Sequence, residues 1–109
     1  MKKLSIIGSN ALARQIIHHC KFNNEIEVIG VFDDFKKIGE VVEGNIKVIG
    51  TTDDIFAYFA KGIFHQLMIG IGYHQMESRI NQFNRFSEKI EFVIKIFFLQ
   101  PSPAFLHVS

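Results

Sequence analysis

Short apolar runs alternate with amphipathic stretches along this chain. Leu4-Ser5-Ile6-Ile7 is an apolar run stopping at Gly8, the pattern of a strand buried on both faces of a sheet. Over residues 10–22 the spacing turns helical: Ala13, Ile16, Ile17 and Cys20 share one stripe, with Arg14, Gln15 and Lys21 off it. Ser9 or Asn10 is placed to cap this helix, and Asn23-Asn24 closes it. A second β-branched run, Ile26 to Phe32, ends at Asp33-Asp34. Between Val41 and Val48 two short extended segments flank the tight-turn pair Gly44-Asn45.

The alternation continues to the end of the chain. Thr51-Thr52-Asp53-Asp54 supplies hydroxyls and carboxylates for the unpaired amides of a helix over 53–60, which Gly62 ends. Leu67-Met68-Ile69-Gly70-Ile71-Gly72 reads as a further strand with glycines at its C-terminal end. Met76, Ile80 and Phe83, with Phe86 or Ser87, recur at helical intervals over 74–87. A last strand over 92–98 runs to Gln100-Pro101-Ser102-Pro103, where two prolines break regular structure. Strands alternating with helices imply parallel pairing through right-handed crossovers. The expected fold is α/β, a small Rossmann-like three-layer domain with a mainly parallel sheet in the order 3-2-1-4-5. It should occupy residues 1–99, with 100–109 beginning a linker.

Composition narrows the class. One domain is what 109 residues make, and 48% hydrophobic content suffices for its core. Twelve basic against eleven acidic residues give a net charge of +1, too balanced for a nucleic-acid partner. A single cysteine, Cys20, fits a reducing compartment. The apolar stretch behind Lys2-Lys3 breaks at Gly8-Ser9-Asn10, so neither a leader nor a membrane span is expected, and a cytoplasmic location is. Twelve phenylalanines against two tyrosines and no tryptophan is unusual; with Phe92, Phe97, Phe98 and Phe105, the C-terminal end either packs on something outside this chain or lines a homo-oligomeric contact.

In such a sheet ligands bind beyond the C-terminal strand ends, where the strand order reverses. Three segments meet there. Gly8-Ser9-Asn10-Ala11-Leu12-Ala13 joins the first strand to the first helix, where small residues let a phosphate approach backbone amides. The dinucleotide fingerprint asks for glycine where Asn10 and Ala13 stand, so a plain strand–helix turn is the competing reading. Asp33 and Asp34, about 25 residues beyond Gly8, are placed to accept ribose or base hydrogens, or simply to cap their loop. Gly70-Ile71-Gly72-Tyr73-His74 gives backbone access, with Tyr73 or His74 in reach, or merely a turn.

Other residues point to no chemistry. His18, His19 and Cys20 diverge by about 100° per residue on a helix and do not converge on a metal. His65 and His107 have no acidic partner in sight, Arg79 reads as a helix-surface ion pair, and no nucleophile triad is assembled.

Taken in order, Lys2-Lys3-Leu4-Ser5-Ile6-Ile7-Gly8, Val28-Ile29-Gly30-Val31-Phe32-Asp33-Asp34, Gly44-Asn45-Ile46-Lys47-Val48-Ile49-Gly50 and Met68-Ile69-Gly70-Ile71-Gly72, with Arg79 beyond, resemble one family. It is the N-terminal domain of bacterial sugar O- and N-acyltransferases, of the sialic acid O-acetyltransferase and bacillosamine-pathway N-acetyltransferase type. The resemblance implies a domain that holds a UDP- or dTDP-linked amino sugar for surface-glycan synthesis. By motif position the loop from Gly8 to Leu12 would meet the diphosphate or sugar. Asp33 or Asp34 and the backbone near Ile49 would hold the base. The family's left-handed β-helix, with its catalytic histidine and acetyl-CoA site, is expected beyond Ser109, so no acyl transfer and no cofactor are expected of this stretch itself. Two departures stand out: Leu12 takes a histidine position of the family, and Gln100-Pro101-Ser102-Pro103-Ala104 replaces its His-Pro-Ser-Ala segment. The alternative from another class is a non-enzymatic module that binds a dinucleotide such as NAD or CoA for regulation.

Overall fold

The computed structural model describes residues 1–93. Strand β1 (Lys2–Ile7) leads into helix α1 (Ala11–Cys20), strand β2 (Ile26–Phe32), the hairpin β3 (Val41–Glu43) and β4 (Ile46–Gly50), then helix α2 (Ile55–Ala60). Strand β5 (Gln66–Ile69), helix α3 (Met76–Phe86) and the two-residue strand β6 (Glu91–Phe92) follow. The sheet order is β3-β4-β2-β1-β5-β6. All pairs are parallel except β3–β4, the edge hairpin.

This is the Rossmann-like α/β architecture expected, but the strand order differs in one respect. The five-strand order counts the segment around Gly44-Asn45 once, but both of its extended halves are strands of the sheet: the tight turn folds β3 back antiparallel along β4 and makes β3 the sheet edge. The strand after Gln66 also stops at Ile69, short of the expected glycines, and only residues 91–93 of the C-terminal strand region lie within the described part. The 100–109 linker and Phe97, Phe98 and Phe105 lie outside it.

Alternation along β1 explains the layering. Leu4 and Ile6 face one side, where they join Ala13, Ile16, Ile17 and Cys20 of α1 with Val31 and Met68. Ile7 faces the other, joining Phe32, Ile55, Phe64, Leu67, Phe86 and Ile90 beneath α2 and α3. Complete burial of Phe32, Phe64 and Phe86 contributes roughly 1.5–3 kcal/mol apiece before entropy is counted. Ser5, between these apolar neighbours, is buried, and its hydroxyl has no hydrogen-bond partner among the described residues.

The stripe inferred for α1 is the buried one. That of α3 is not: Met76, Ile80 and Phe83 remain 52%, 50% and 41% exposed, and Phe86 alone of the helix is fully buried. Helix α3 therefore rests on the sheet through its C-terminal end, with Phe83 also meeting the Phe92 ring at 4.9 Å. No helix among the described residues is long and apolar enough to cross a membrane.

Candidate functional site

Three backbone bonds draw the C-terminal strand ends together. The Gly8 N–H donates to the Phe32 carbonyl at 2.9 Å, the Gly70 N–H to the Ile7 carbonyl at 2.7 Å, and the Asp33 N–H to the Gly50 carbonyl at 3.0 Å. β4, β2, β1 and β5 thus end on one level, and the loops leaving them rim a common crevice. Glycine is required at two points of that rim. Gly8 has φ +100° and any Cβ there would lie 3.0 Å from the Gly70 carbonyl oxygen. At Gly70 a Cβ would meet the Ala13 Cβ and the Ile6 Cγ2, each at 2.8 Å.

The last contact clarifies the loop. The third glycine of a dinucleotide fingerprint serves close helix–strand packing. Here Ala13 meets that need because glycine stands opposite it at position 70. Asn10 is the remaining departure: it holds the N-cap position of α1 with φ −88° and ψ −157° and lines the crevice. Its side chain makes no capping bond, and the first turn carries no acidic residue. The amides opening α1 thus have no side-chain cap, and their partial positive charge lies just behind Asn10.

Neither expected capping side chain caps. The Ser9 hydroxyl donates instead to Asp33 Oδ2 at 2.5 Å, across 24 residues of sequence, and both residues are buried. Asp33 Oδ1 accepts the Phe35 N–H at 2.7 Å, which shapes the loop after β2. A carboxylate offers about four acceptor positions, so Asp33 retains capacity for hydroxyl donors from a ligand. Asp34 is differently employed. Its Oδ1 accepts the Thr52 N–H at 2.8 Å, and the Thr52 hydroxyl lies 3.0 and 2.9 Å from its two oxygens. Arg85 of α3 completes this chain, donating to Thr52 Oγ1 at 3.0 Å and to Asp53 at 2.7 Å. Asp34 ties the end of β2 to the 3-10 turn that precedes α2, and Asp33, which lines the crevice, is the carboxylate with acceptor positions unused.

The crevice measures ≈ 300 Å³. It gathers Gly8, Ser9, Asn10, Asp33, Asp34 and Gly70 from the predicted residues. Ala11, Leu12, Ile49 and Gly72 are not on its wall. Leu12 packs against the α1-side core, since one residue's advance along a helix turns the side chain away from the loop. The Ile49 carbonyl is already taken by the Tyr58 hydroxyl at 3.2 Å, and its side chain fills the space above Gly30. Gly72 precedes a short 3-10 turn, Tyr73–Gln75, and faces the His74 ring. The Tyr73 side chain lies outside the described residues. Arg79 donates to the Ile71 carbonyl and is not among the residues that line the crevice.

Several wall residues escaped sequence reasoning. Thr52 and Phe35 sit two and three residues past strand ends, where any α/β loop is a candidate. Ser78 and Gln82 of α3, with Gln75 just before it, form a polar stripe at intervals of three and four, which apolar periodicity does not reveal. Gln82 Oε1 is buried without a donor among the described residues. Among those residues no group of three or more His, Cys, Asp or Glu is gathered for a metal. Cys20 is buried in the core, and burial pushes its thiol up to about 11.

No protein-family model matches the chain, and no curated protein does. Ten solved chains match. One of them, described as the crystal structure of RSP, a Rex-family repressor, superposes with a TM-score of 0.63 over 88% of this chain at 15% identity. The match spans 46% of that repressor, about half its length. Likeness at this identity speaks to the Rossmann-like fold.

Proposed function

We propose that this domain is a nucleotide-binding module that works by binding a dinucleotide-type ligand, NAD or CoA in class, and not by transforming it. The observation that carries the reading is that one crevice is lined both by Asn10, at the uncapped N-terminus of α1, and by the half-used carboxylate of Asp33. A phosphate group suits the first and a ribose hydroxyl the second. A regulatory role agrees with the solved neighbour's description as a repressor, and that neighbour is larger than the matched part.

A second reading is favoured by the size of the crevice. At ≈ 300 Å³ it lies at the small end for ligand pockets. A UDP- or dTDP-linked amino sugar, held as the substrate of an acyltransferase for surface-glycan synthesis, carries one nucleoside where NAD carries two and asks less of that space. In this reading acetyl-CoA belongs to a catalytic domain outside these residues.

Calorimetry with NAD, CoA, UDP and UDP-N-acetylglucosamine separates the two. Tighter binding of NAD or CoA supports the first reading. Preference for the UDP-linked sugar replaces it with the second, and no heat from any of the four removes both.

A further inference from the structure

Resting on the nucleotide reading above, we infer that Phe35 is the platform on which the ligand's base stacks. Three observations converge on this ring. Phe35 is 95% exposed, the highest exposure among the large hydrophobic side chains described. It also borders the crevice, two residues beyond Asp33. Its backbone is fixed there, because its N–H donates to Asp33 Oδ1 at 2.7 Å. A phenyl ring left in water forfeits the burial that the other phenylalanines of the core obtain, and here the carboxylate that would hold the ribose also presents the ring.

The bonds that link these groups match the connectivity of a nucleotide. Asn10, at the N-terminus of α1, follows Ser9; the Ser9 hydroxyl donates to Asp33 Oδ2, and Asp33 Oδ1 holds the Phe35 N–H. Phosphate, ribose and base would meet them in that sequence. A π face accepts any base, since stacking demands no particular hydrogen-bonding edge. Discrimination among bases would then fall to other residues of the rim.

Because the chain contains no tryptophan, Phe35→Trp introduces a single emitter at the proposed contact. The test titrates wild type, Phe35→Ala, Phe35→Leu and Phe35→Trp with ADP, UDP and base-free ribose 5-phosphate, following heat for all and emission for the tryptophan variant. Exposure of Phe35 means all variants should keep the wild-type circular dichroism. Stacking predicts that Phe35→Ala and Phe35→Leu weaken ADP and UDP by about 5- to 150-fold, leaving ribose 5-phosphate within about twofold. It also predicts that Phe35→Trp retains affinity and that bound ADP quenches its emission.

Four results overturn the inference. If ADP or UDP binds but truncation of Phe35 leaves its affinity unchanged, the ring is not the platform and the nucleotide reading survives. Equal loss for base-bearing and base-free ligands makes Phe35 a support for the Asp33 turn only. Self-association in sedimentation that Phe35→Ala abolishes, with nucleotide affinity intact, makes the ring a subunit contact. No binding of any probe to wild type removes this inference and the nucleotide reading together.

Discussion

Replacing Gly70 with alanine tests how tightly the first helix is seated on the sheet. The new Cβ would lie 2.8 Å from the Ala13 Cβ, 2.8 Å from the Ile6 Cγ2 and 3.0 Å from the Ala13 Cα. None of these atoms is the free end of a flexible side chain: one is backbone, and the others are joined directly to it or branch at Cβ. Relief requires α1 to lift from β1 and β5. Overpacking of this kind costs about 1–3 kcal/mol. Gly70 is not among the glycines with positive φ, so alanine also restricts the unfolded chain and returns about 0.4–1 kcal/mol. The net expectation is a loss of about 1–2 kcal/mol, or about 4–16 °C in Tm for a domain of this size. Urea unfolding of wild type, Gly70→Ala, Ala13→Gly and the double variant measures it. Ala13→Gly alone should cost about 1 kcal/mol as a helix-interior glycine. Because it removes one clashing atom, the double variant should be more stable than additivity allows by about 0.5 kcal/mol or more. A neutral Gly70→Ala, or strict additivity in the cycle, refutes close helix–strand packing at this point.

Three further outcomes follow from the site and the core. Asp33→Asn keeps an acceptor for the Phe35 N–H but surrenders the charge, so calorimetry should show the preferred nucleotide weakened by about 5- to 150-fold; unchanged affinity removes Asp33 from the site. Thr52→Val preserves shape and loses the hydroxyl shared by Asp34 and Arg85, so urea unfolding should show a loss of about 1–3 kcal/mol, and a neutral result means the clamp contributes nothing. The Cys20 thiol, raised from 9.0 to about 11, binds its proton more tightly folded than unfolded. Its contribution to stability is complete below pH 9 and lost as pH rises toward 11, so Cys20→Ala should flatten that part of the pH profile and an unaltered slope counts against the assignment.

The fold was legible because its signals are local and redundant. The apolar run before Gly8, the stripe Ala13–Ile16–Ile17–Cys20 and the strand closed by Asp33 each announce one element, and burial bears out all three. Where periodicity misled, the sheet's geometry had the deciding part. The stripe Met76–Ile80–Phe83 marks a helix correctly, yet it lies half exposed, because spacing reports a helix and not what covers it. At the site, sequence position located the loops but not the partners. Nothing in the spacing of Ser9 and Asp33 distinguishes a helix cap from a bond across 24 residues. Asp33 and Asp34, adjacent and chemically alike, differ only in which way the strand end turns them, and that is decided by Thr52 and Arg85 from distant segments.

The Ser9–Asp33 bond has a kinetic corollary. It joins the two walls before anything arrives, so a guest need not recruit one loop to the other, and little ordering entropy remains to be lost on docking. Capture should accordingly occur in a single rapid phase whose rate grows linearly with guest concentration, without the plateau that a preceding rearrangement imposes. Cutting the tether with Ser9→Ala would let the walls drift apart between encounters, and such a plateau should then emerge.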